Sequence, residues 1–356
     1  MLSSETLFFG GFILFVLLVM ALDLGLLTKQ KSHIVSFREA GIWSVVWVAL
    51  ALGFYVFLRY YGYLVHGVTD LPHLESIRDL YAARLQLVPG NFERSLDIFQ
   101  KNMSTEYLTG YLVEYSLSAD NIFVFILLFK SFGVHEKFYK KILVYGISGA
   151  VILRFIFIFL GAALLQRFEW VVYIFGAFLV YTGVRLFFEK GDEEPVKPAE
   201  HPVVKLLSRF FNVYRRNVID HFFVRRKSDR KLFITPLFVV VVVVAFTDVV
   251  FAVDSIPAIF SITKDPYIVF FSNVFAIMGL RSMFFFLSSV MGLFRFLKTG
   301  LAVLLTFIGL KMLVPHHYLD AIGFQTQYSL YVILTILGVS IAASLVFPEK
   351  KTGVQA

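Results

Sequence analysis

Four carboxylates stand inside stretches of sequence otherwise suited to lipid. Glu114 and Asp120 lie in "YLVEYSLSADNIFVF", and Asp248 and Asp254 lie in "VVVVVVAFTDVVFAVDSIPAIF". In each pair five residues separate the acids, and a small polar side chain follows, Asn121 in the first and Ser255 in the second. An acid at the centre of a membrane helix costs roughly 2.5–3.5 kcal/mol on insertion scales, so four of them call for a compensating partner. Carboxylates, an amide, a hydroxyl and backbone carbonyls make an all-oxygen set. That set suits Mg2+, Ca2+ or Mn2+ and suits thiophilic ions poorly. The chain has no cysteine, so thiolate metal sites, haem thioethers and disulfides are excluded.

Spacing complicates this picture. Residues six apart on an ideal helix differ by about 120° in direction and roughly 9 Å in rise, so the two acids of a pair do not face one point from an unbroken helix. Pro257 predicts a break in the second copy, because it leaves the carbonyl of Val253 without its usual donor. The first copy has Phe123 there, and a break would rest on Ser118, Asn121 or packing. The competing reading is a set of buried ion pairs with Arg154 and Arg281, which also sit in apolar spans. A mixed arrangement satisfies both: a divalent ion balances two of the four charges, the arginines balance the rest, and protons replace the ion when it leaves. Asp23, in "ALDLGLL", is a fifth acid with an interfacial or ligating role, while His316 and His317 read as solvated.

The elements that must hold these residues are membrane helices. The chain of 356 residues is 58% hydrophobic and only 16% charged, against about a quarter charged in soluble domains. The expectation is an all-α polytopic membrane protein with about nine spans, near 5–27, 41–63, 105–129, 141–163, 169–188, 233–262, 267–291, 298–314 and 326–347. The first reads as a retained helix rather than a signal peptide, since no basic n-region or cleavage site accompanies it. Lys and Arg concentrate in alternate connections, including "TKQKSHIVSFRE", "KSFGVHEKFYKK", residues 190–232 and "FRFLK". The positive-inside rule then places the N-terminus outside and the C-terminus in the cytoplasm, in a bacterial inner membrane. The net charge of +8 belongs to those loops and gives no reason to expect nucleic acid. The abundant Phe and Tyr read as lipid-facing packing and interfacial anchors.

The two acidic segments are also copies of each other. Glu114 aligns with Asp248, Asp120 with Asp254, Arg154 with Arg281, Gly183 with Gly309 and Arg185 with Lys311. Each copy spans three helices, an odd number, so the copies are inverted in the membrane and place a shared site near the midplane. The chain divides into 1–104 (two helices and an outer insertion), 105–189 (first repeat), 190–232 (basic cytoplasmic loop), 233–314 (second repeat) and 315–356 (last helix and tail). Within 190–232, Val203, Leu207, Phe210, Phe211 and Tyr214 recur at helical spacing and predict an amphipathic interfacial helix. "HFFVRRKSDRKLFIT" after it reads as a small hairpin.

The segments "YLTGYLVEYSLSADNIFVF" and "FTDVVFAVDSIPAIFSITKDPYIVFFSNVFAIMGLRS" resemble the two signature segments of the TerC family of integral membrane proteins; "ALDLG" and "HPVVKLLSRF" fit as well. The resemblance implies divalent metal homeostasis, Mn2+ export above all, in a family linked by name to tellurium resistance. It implies Glu114, Asp120, Asn121, Asp248, Asp254 and Ser255 as the ion-binding set, with Asn273 and Arg281 in support, beside Asp23 and Arg154 from the reading of the residues above. One departure is Ala245, where many members carry an acid. The expected function is therefore a transporter, not an enzyme and without a bound cofactor. Its partners are the divalent ion as substrate, membrane lipid, and cytoplasmic partners at 190–232. The alternatives are a scaffold or accessory factor in metal or tellurite stress, and an intramembrane enzyme. Against the enzyme, the chain lacks the Gly-x-Gly-Asp of aspartyl proteases, a His-Glu-x-x-His, a Gly-x-Ser-x-Gly and a P-loop.

Overall fold

The computed structural model describes residues 4–23, 36–168, 170–188, 201–213, 221–225, 232–289, 296–315, 318–319 and 326–347. Twelve helices run through these segments: α1 (Ser4–Asp23), α2 (Phe37–Tyr61), α3 (Tyr63–His66), α4 (Leu71–Tyr81), α5 (Phe92–Ser131), α6 (Tyr139–Arg167), α7 (Val171–Phe188), α8 (Pro202–Phe210), α9 (Pro236–Phe260), α10 (Pro266–Ser289), α11 (Leu297–Leu313) and α12 (Thr326–Val346). Local sequence explains their starts. Ser36, Asp70, Asn91 and Thr235 each accept a backbone N–H three residues on, at the head of α2, α4, α5 and α9. Each expected span falls on a helix. Among the described residues, six helices are long and apolar enough to cross a membrane: α2, α6, α7, α9, α10 and α12. The chain is an all-α membrane protein.

Segment 64–104, expected only as an outer insertion, builds α3, α4 and the beginning of α5. That helix starts thirteen residues before the expected span and runs for 40 residues, about 60 Å, or twice the hydrocarbon core. Its polar start is anchored locally: Ser95 Oγ bonds both the N–H and the carbonyl of Val88, and Asp97 pairs with Arg59 of α2 at 2.6 Å.

Helix α10 is the axis of the bundle. Its apolar window is 94% buried inside the protein, against 17% for α2 and α7. The aromatic residues correct one expectation here. Phe12, Phe54, Tyr107, Phe271 and Phe275 form an interior cluster, with Phe12 and Phe271 centroids 4.4 Å apart. Phe is used in the core as well as toward lipid, because edge-to-face rings fill the space between helices.

Helices α7 and α11 meet backbone to backbone. A Cβ at Gly309 would stand 2.7 Å from both the carbonyl oxygen of Gly176 and the amide nitrogen of Val180. One at Gly183 would meet the Thr306 nitrogen at 2.7 Å and the Ala302 oxygen at 2.8 Å. Small residues at such a seam let membrane helices approach closely. Gly183→Ala and Gly309→Ala are each expected to lower stability by about 1–3 kcal/mol, read as a lower unfolding temperature in detergent. Gly338→Ala on α12, where nothing lies within 4 Å, should not lower it, since a mid-helix Gly is less stable than Ala.

Two local expectations need revision. Helix α9 is continuous through Pro257 and ends at Phe260, with Ser261 N bonded back to the Pro257 carbonyl. The proline falls in the last turn, where losing one bond to Val253 does not interrupt the helix. The expected hairpin is present as β2 (Phe223–Arg225) antiparallel to β3 (Leu232–Ile234), but β3 also pairs in parallel with β1 (Asn212–Val213). Helix α8 is amphipathic as expected, with Val203 buried and Phe210 and Phe211 exposed. Tyr214, His316, His317 and the whole acidic run 190–200 lie outside the described residues.

Candidate functional site

The interior places a guanidinium among the acids. Arg154, on α6 and 1% exposed, reaches four side chains on three other helices. Its Nε and Nη2 donate to the two oxygens of Asp248 on α9, at 2.9 and 3.2 Å. Its Nη1 donates to Glu114 Oε1 on α5 and to Asn273 Oδ1 on α10, the latter at 2.6 Å, and lies 3.4 Å from Ser255 Oγ. The planar fork of Arg suits this side-on grip of one carboxylate with a second carboxylate at the same end. Asn273 is held in register because its amide nitrogen donates to the Val269 carbonyl, which leaves its oxygen for Arg154. Ser118 Oγ adds a bond to Glu114 Oε1 at 3.3 Å.

Glu114, Asp248, Ser255 and Asn273 are each 2% exposed or less. Two carboxylates face one guanidinium, so this group carries one uncompensated negative charge. Glu114 Oε2 is buried with no hydrogen-bond partner among the described residues. A buried carboxylate oxygen left without a donor is costly, and a cation or a proton satisfies it.

The unbroken helix separates the acids of the second pair, as the 120° offset requires. Asp248 faces Arg154, whereas Asp254 is half-buried on another face of α9, beside Thr182 of α7. Of the expected ligand set, Glu114, Asp248 and Ser255 come together around Arg154, joined by Asn273 from the supporting residues. Asp254 is apart, and Asn121 is half-buried on α5. Arg281 is buried further along α10. The side chains of Asp120 and Asp23 lie outside the description. Among the described residues, no three His, Asp or Glu side chains are grouped as a metal site. Ala245 faces α6, where its methyl would lie 3.4 Å from a Cβ at Gly149, so an acid at this position would enter the α6–α9 contact. Ser118 was expected only in connection with a helix break, not as a partner of Glu114, and Thr182 was not anticipated; hydroxyls within apolar spans carry no signal separating these from ordinary back-bonded serines and threonines.

Comparison with known proteins agrees with the fold. The profile of the integral membrane protein TerC family matches residues 99–352. The chain is 41% identical over 312 residues to "Putative membrane-bound redox modulator Alx" of Salmonella typhi, covering 88% of this chain and 87% of that one. The Escherichia coli K12 protein of the same name is 40% identical with the same coverage. "Uncharacterized membrane protein STKORF319" of Myxococcus xanthus is 40% identical over 337 residues, or 95% and 91% of the two chains. No solved structure matches. With two signature segments, a buried acidic centre and a family profile covering most of its length, the chain belongs to the TerC family of integral membrane proteins.

Proposed function

We propose that the protein exports a divalent cation, Mn2+ as the favoured cargo with Ca2+ or Mg2+ as alternatives, in exchange for protons. The observation that carries this reading is the all-oxygen group Glu114, Asp248, Ser255 and Asn273, buried at the crossing of four helices around a single guanidinium. Arg154 acts as a tethered cation. It holds the carboxylates while no cargo is present and gives them up when a divalent ion arrives by way of the half-exposed Asp254 and Asn121. One unpaired carboxylate oxygen is left to take the ion or a proton.

Nine spans and two inverted repeats, α5–α7 and α9–α11, accompany this reading. Exchange of contacts supports the repeat. Gly183 packs on Ala302 and Thr306, the residues seven and three before Gly309, and Gly309 packs on Gly176 and Val180, seven and three before Gly183. Gly110 of α5 meets Ser272 of α10, and Gly146 of α6 meets Val244 of α9. In the alignment Gly110 matches Val244 and Gly146 matches the neighbour of Ser272. Such reciprocity is what a pseudo-two-fold axis produces.

For the orientation, Lys/Arg alternation sets the N-terminus outside. Contacts between Glu5 and His66, His66 and Asp265, and Lys311 and Ser261 gather segments assigned to that side. In the cysteine-free background, Ser208→Cys on α8 should react with an impermeant thiol reagent only after the inner face is opened. Reaction in intact cells would reverse the topology.

A second reading follows from the relatives' name, a redox modulator. With no cysteine, this chain has no thiol–disulfide couple with which to do that directly. A scaffold role at 190–232 would leave the buried acids unused. The deciding measurement is Mn2+ uptake into vesicles holding the purified protein and an entrapped indicator. Saturable flux, faster with an opposing proton gradient, is expected; no flux of Mn2+, Ca2+ or Mg2+ would overturn the proposal.

A further inference from the structure

A second buried polar group lies at the end of the bundle assigned to the outside, and it converges on one short segment. The connection from α9 to α10, Ser261–Asp265, is gripped from three directions. Lys311 of α11 donates Nζ to the Ser261 carbonyl at 3.1 Å. Glu106 of α5, itself buried and held by Asn102 at 2.8 Å, lies beside Thr263 and within electrostatic reach of Lys311. His66 of α3 bonds Asp265 through Nε2 at 2.7 Å, and its Nδ1 lies 3.4 Å from Glu5 of α1. The imidazole is fully buried, between the rings of Tyr81 and Tyr267 at 5.3 and 5.4 Å. Both ring nitrogens face carboxylates, and only the imidazolium donates to both. With its nitrogens turned to different carboxylates, His66 bridges two acids and does not gather them around an ion.

This connection is the hinge side of the acidic centre. It joins α9, which carries Asp248, Asp254 and Ser255, to α10, which carries Asn273. Just before it, Pro257 deprives the Val253 carbonyl of its helical donor, so the final turn of α9 is the easiest part of that helix to bend. We infer that Ser261–Asp265 is the outer gate of the cation route, and that the charged imidazole of His66 latches it shut. This inference rests on the transporter reading for its purpose, but the latch is physically separate from the transport step.

The groups facing His66 set how the latch responds to pH. They are Glu5 from α1, Tyr81 from α4, Asp265 from the connection and Tyr267 from α10, with Glu106 and Lys311 beyond Asp265. Burial works to lower the His66 pKa, but the Asp265 carboxylate, with Glu5 behind it, outweighs burial and holds it above the ordinary 6.5. A pKa raised in the folded state gives a contribution fully present below the ordinary value. That contribution is lost as pH rises through the raised value. The gate is therefore firmest in acid and loosens toward alkaline pH.

The test uses Ile262→Cys, a thiol in the middle of the connection, where the native side chain is 7% exposed. The full chain in lipid nanodiscs is treated with a soluble thiol-reactive probe at about pH 6 and about pH 9. Each rate is divided by that of exposed Ser208→Cys, which removes the thiol's own pH dependence. The normalised rate should rise about tenfold or more between the two, the worth of a charge-assisted hydrogen bond. Adding His66→Gln should make it high at both. Asp265→Asn should do the same while keeping α10 capped, because Asn serves that position as well as the Asp that now accepts from Tyr267 N. A normalised rate that is flat with pH in the unsubstituted background would overturn the latch, whether or not either variant folds. No metal flux enters the measurement, so a chain that moved no Mn2+ would overturn the transport reading, and with it the gate's purpose, and leave the His66 latch itself standing.

Discussion

Arg154→Met is expected to lower stability by about 3–5 kcal/mol and to make what remains depend on added Mn2+. The first part follows from geometry. The substitution strips four hydrogen bonds to carboxylates and amide from the centre and leaves Glu114 and Asp248 facing each other without a counter-charge; breaking one side of a buried ion pair costs that much. The second part follows from the role of Arg154 as a built-in cation. With it gone, the carboxylates are free to recruit a diffusible one, and an ion at about a hundred times its dissociation constant restores about 2.7 kcal/mol. Thermal unfolding in detergent, with and without Mn2+, reads both effects. Wild type should be much less responsive, since the guanidinium already fills the position. A variant that melts early and ignores Mn2+, Ca2+ and Mg2+ would mean the acids serve only the ion pair.

The two aspartates of α9 should behave oppositely. Asp248→Asn turns a two-oxygen salt bridge to Arg154 into a single neutral contact, so the protein level in the membrane should fall. Asp254→Asn removes a charge from a half-buried side chain, and an amide oxygen can still face Thr182 beside it. It should fold normally, since a neutral amide is cheaper to bury than a charge. Its Mn2+ flux should drop about a hundredfold or more, the consequence of losing about 3 kcal/mol of ion attraction at low effective dielectric. Paired measurements of membrane level and vesicle flux separate the two. Wild-type flux through Asp254→Asn would remove that residue from the route, and normal folding of Asp248→Asn would remove the need for the bridge.

Apolar runs alone located the helices, because a bilayer-spanning segment needs length and hydrophobicity that little else in a chain requires. They did not reveal which helix lies at the centre. α10 and α2 read alike by composition, yet one is almost wholly enclosed and the other mostly faces lipid. Hydropathy cannot separate them, since lipid and a protein interior select the same side chains. The forty residues of α5 were hidden for the converse reason: residues 92–104 are polar enough to read as a loop, and their helix is secured by Asn91, Ser95 and Asp97 rather than by burial in lipid. The acids were legible as costly residues, and the ion-pair alternative named Arg154. Which acid Arg154 would hold was not legible. That depended on whether Pro257 broke α9, and a proline three residues from a helix end has little left to break. Glu106, in an apolar stretch two turns before Glu114, was detectable on the same grounds as the other acids but sits where interfacial acids are ordinary. His66 had no sequence signal at all, since its partners are 61 and 199 residues away.

The glycine seam between α7 and α11 bears on how such a molecule moves. Side chains between helices act as compressible spacers, because rotamer changes let one helix slide over another. Where carbonyl and amide atoms meet across Gly176, Gly183 and Gly309 no such spacer exists, and the two helices behave as one stiff beam. That beam meets α9 beside Asp254, at Thr182, and meets the connection that follows it through Lys311 at Ser261. Displacement of α9 is thereby leveraged against a fixed rail, and cargo movement at Asp254 and loosening of the connection beyond Phe260 become mechanically coupled events.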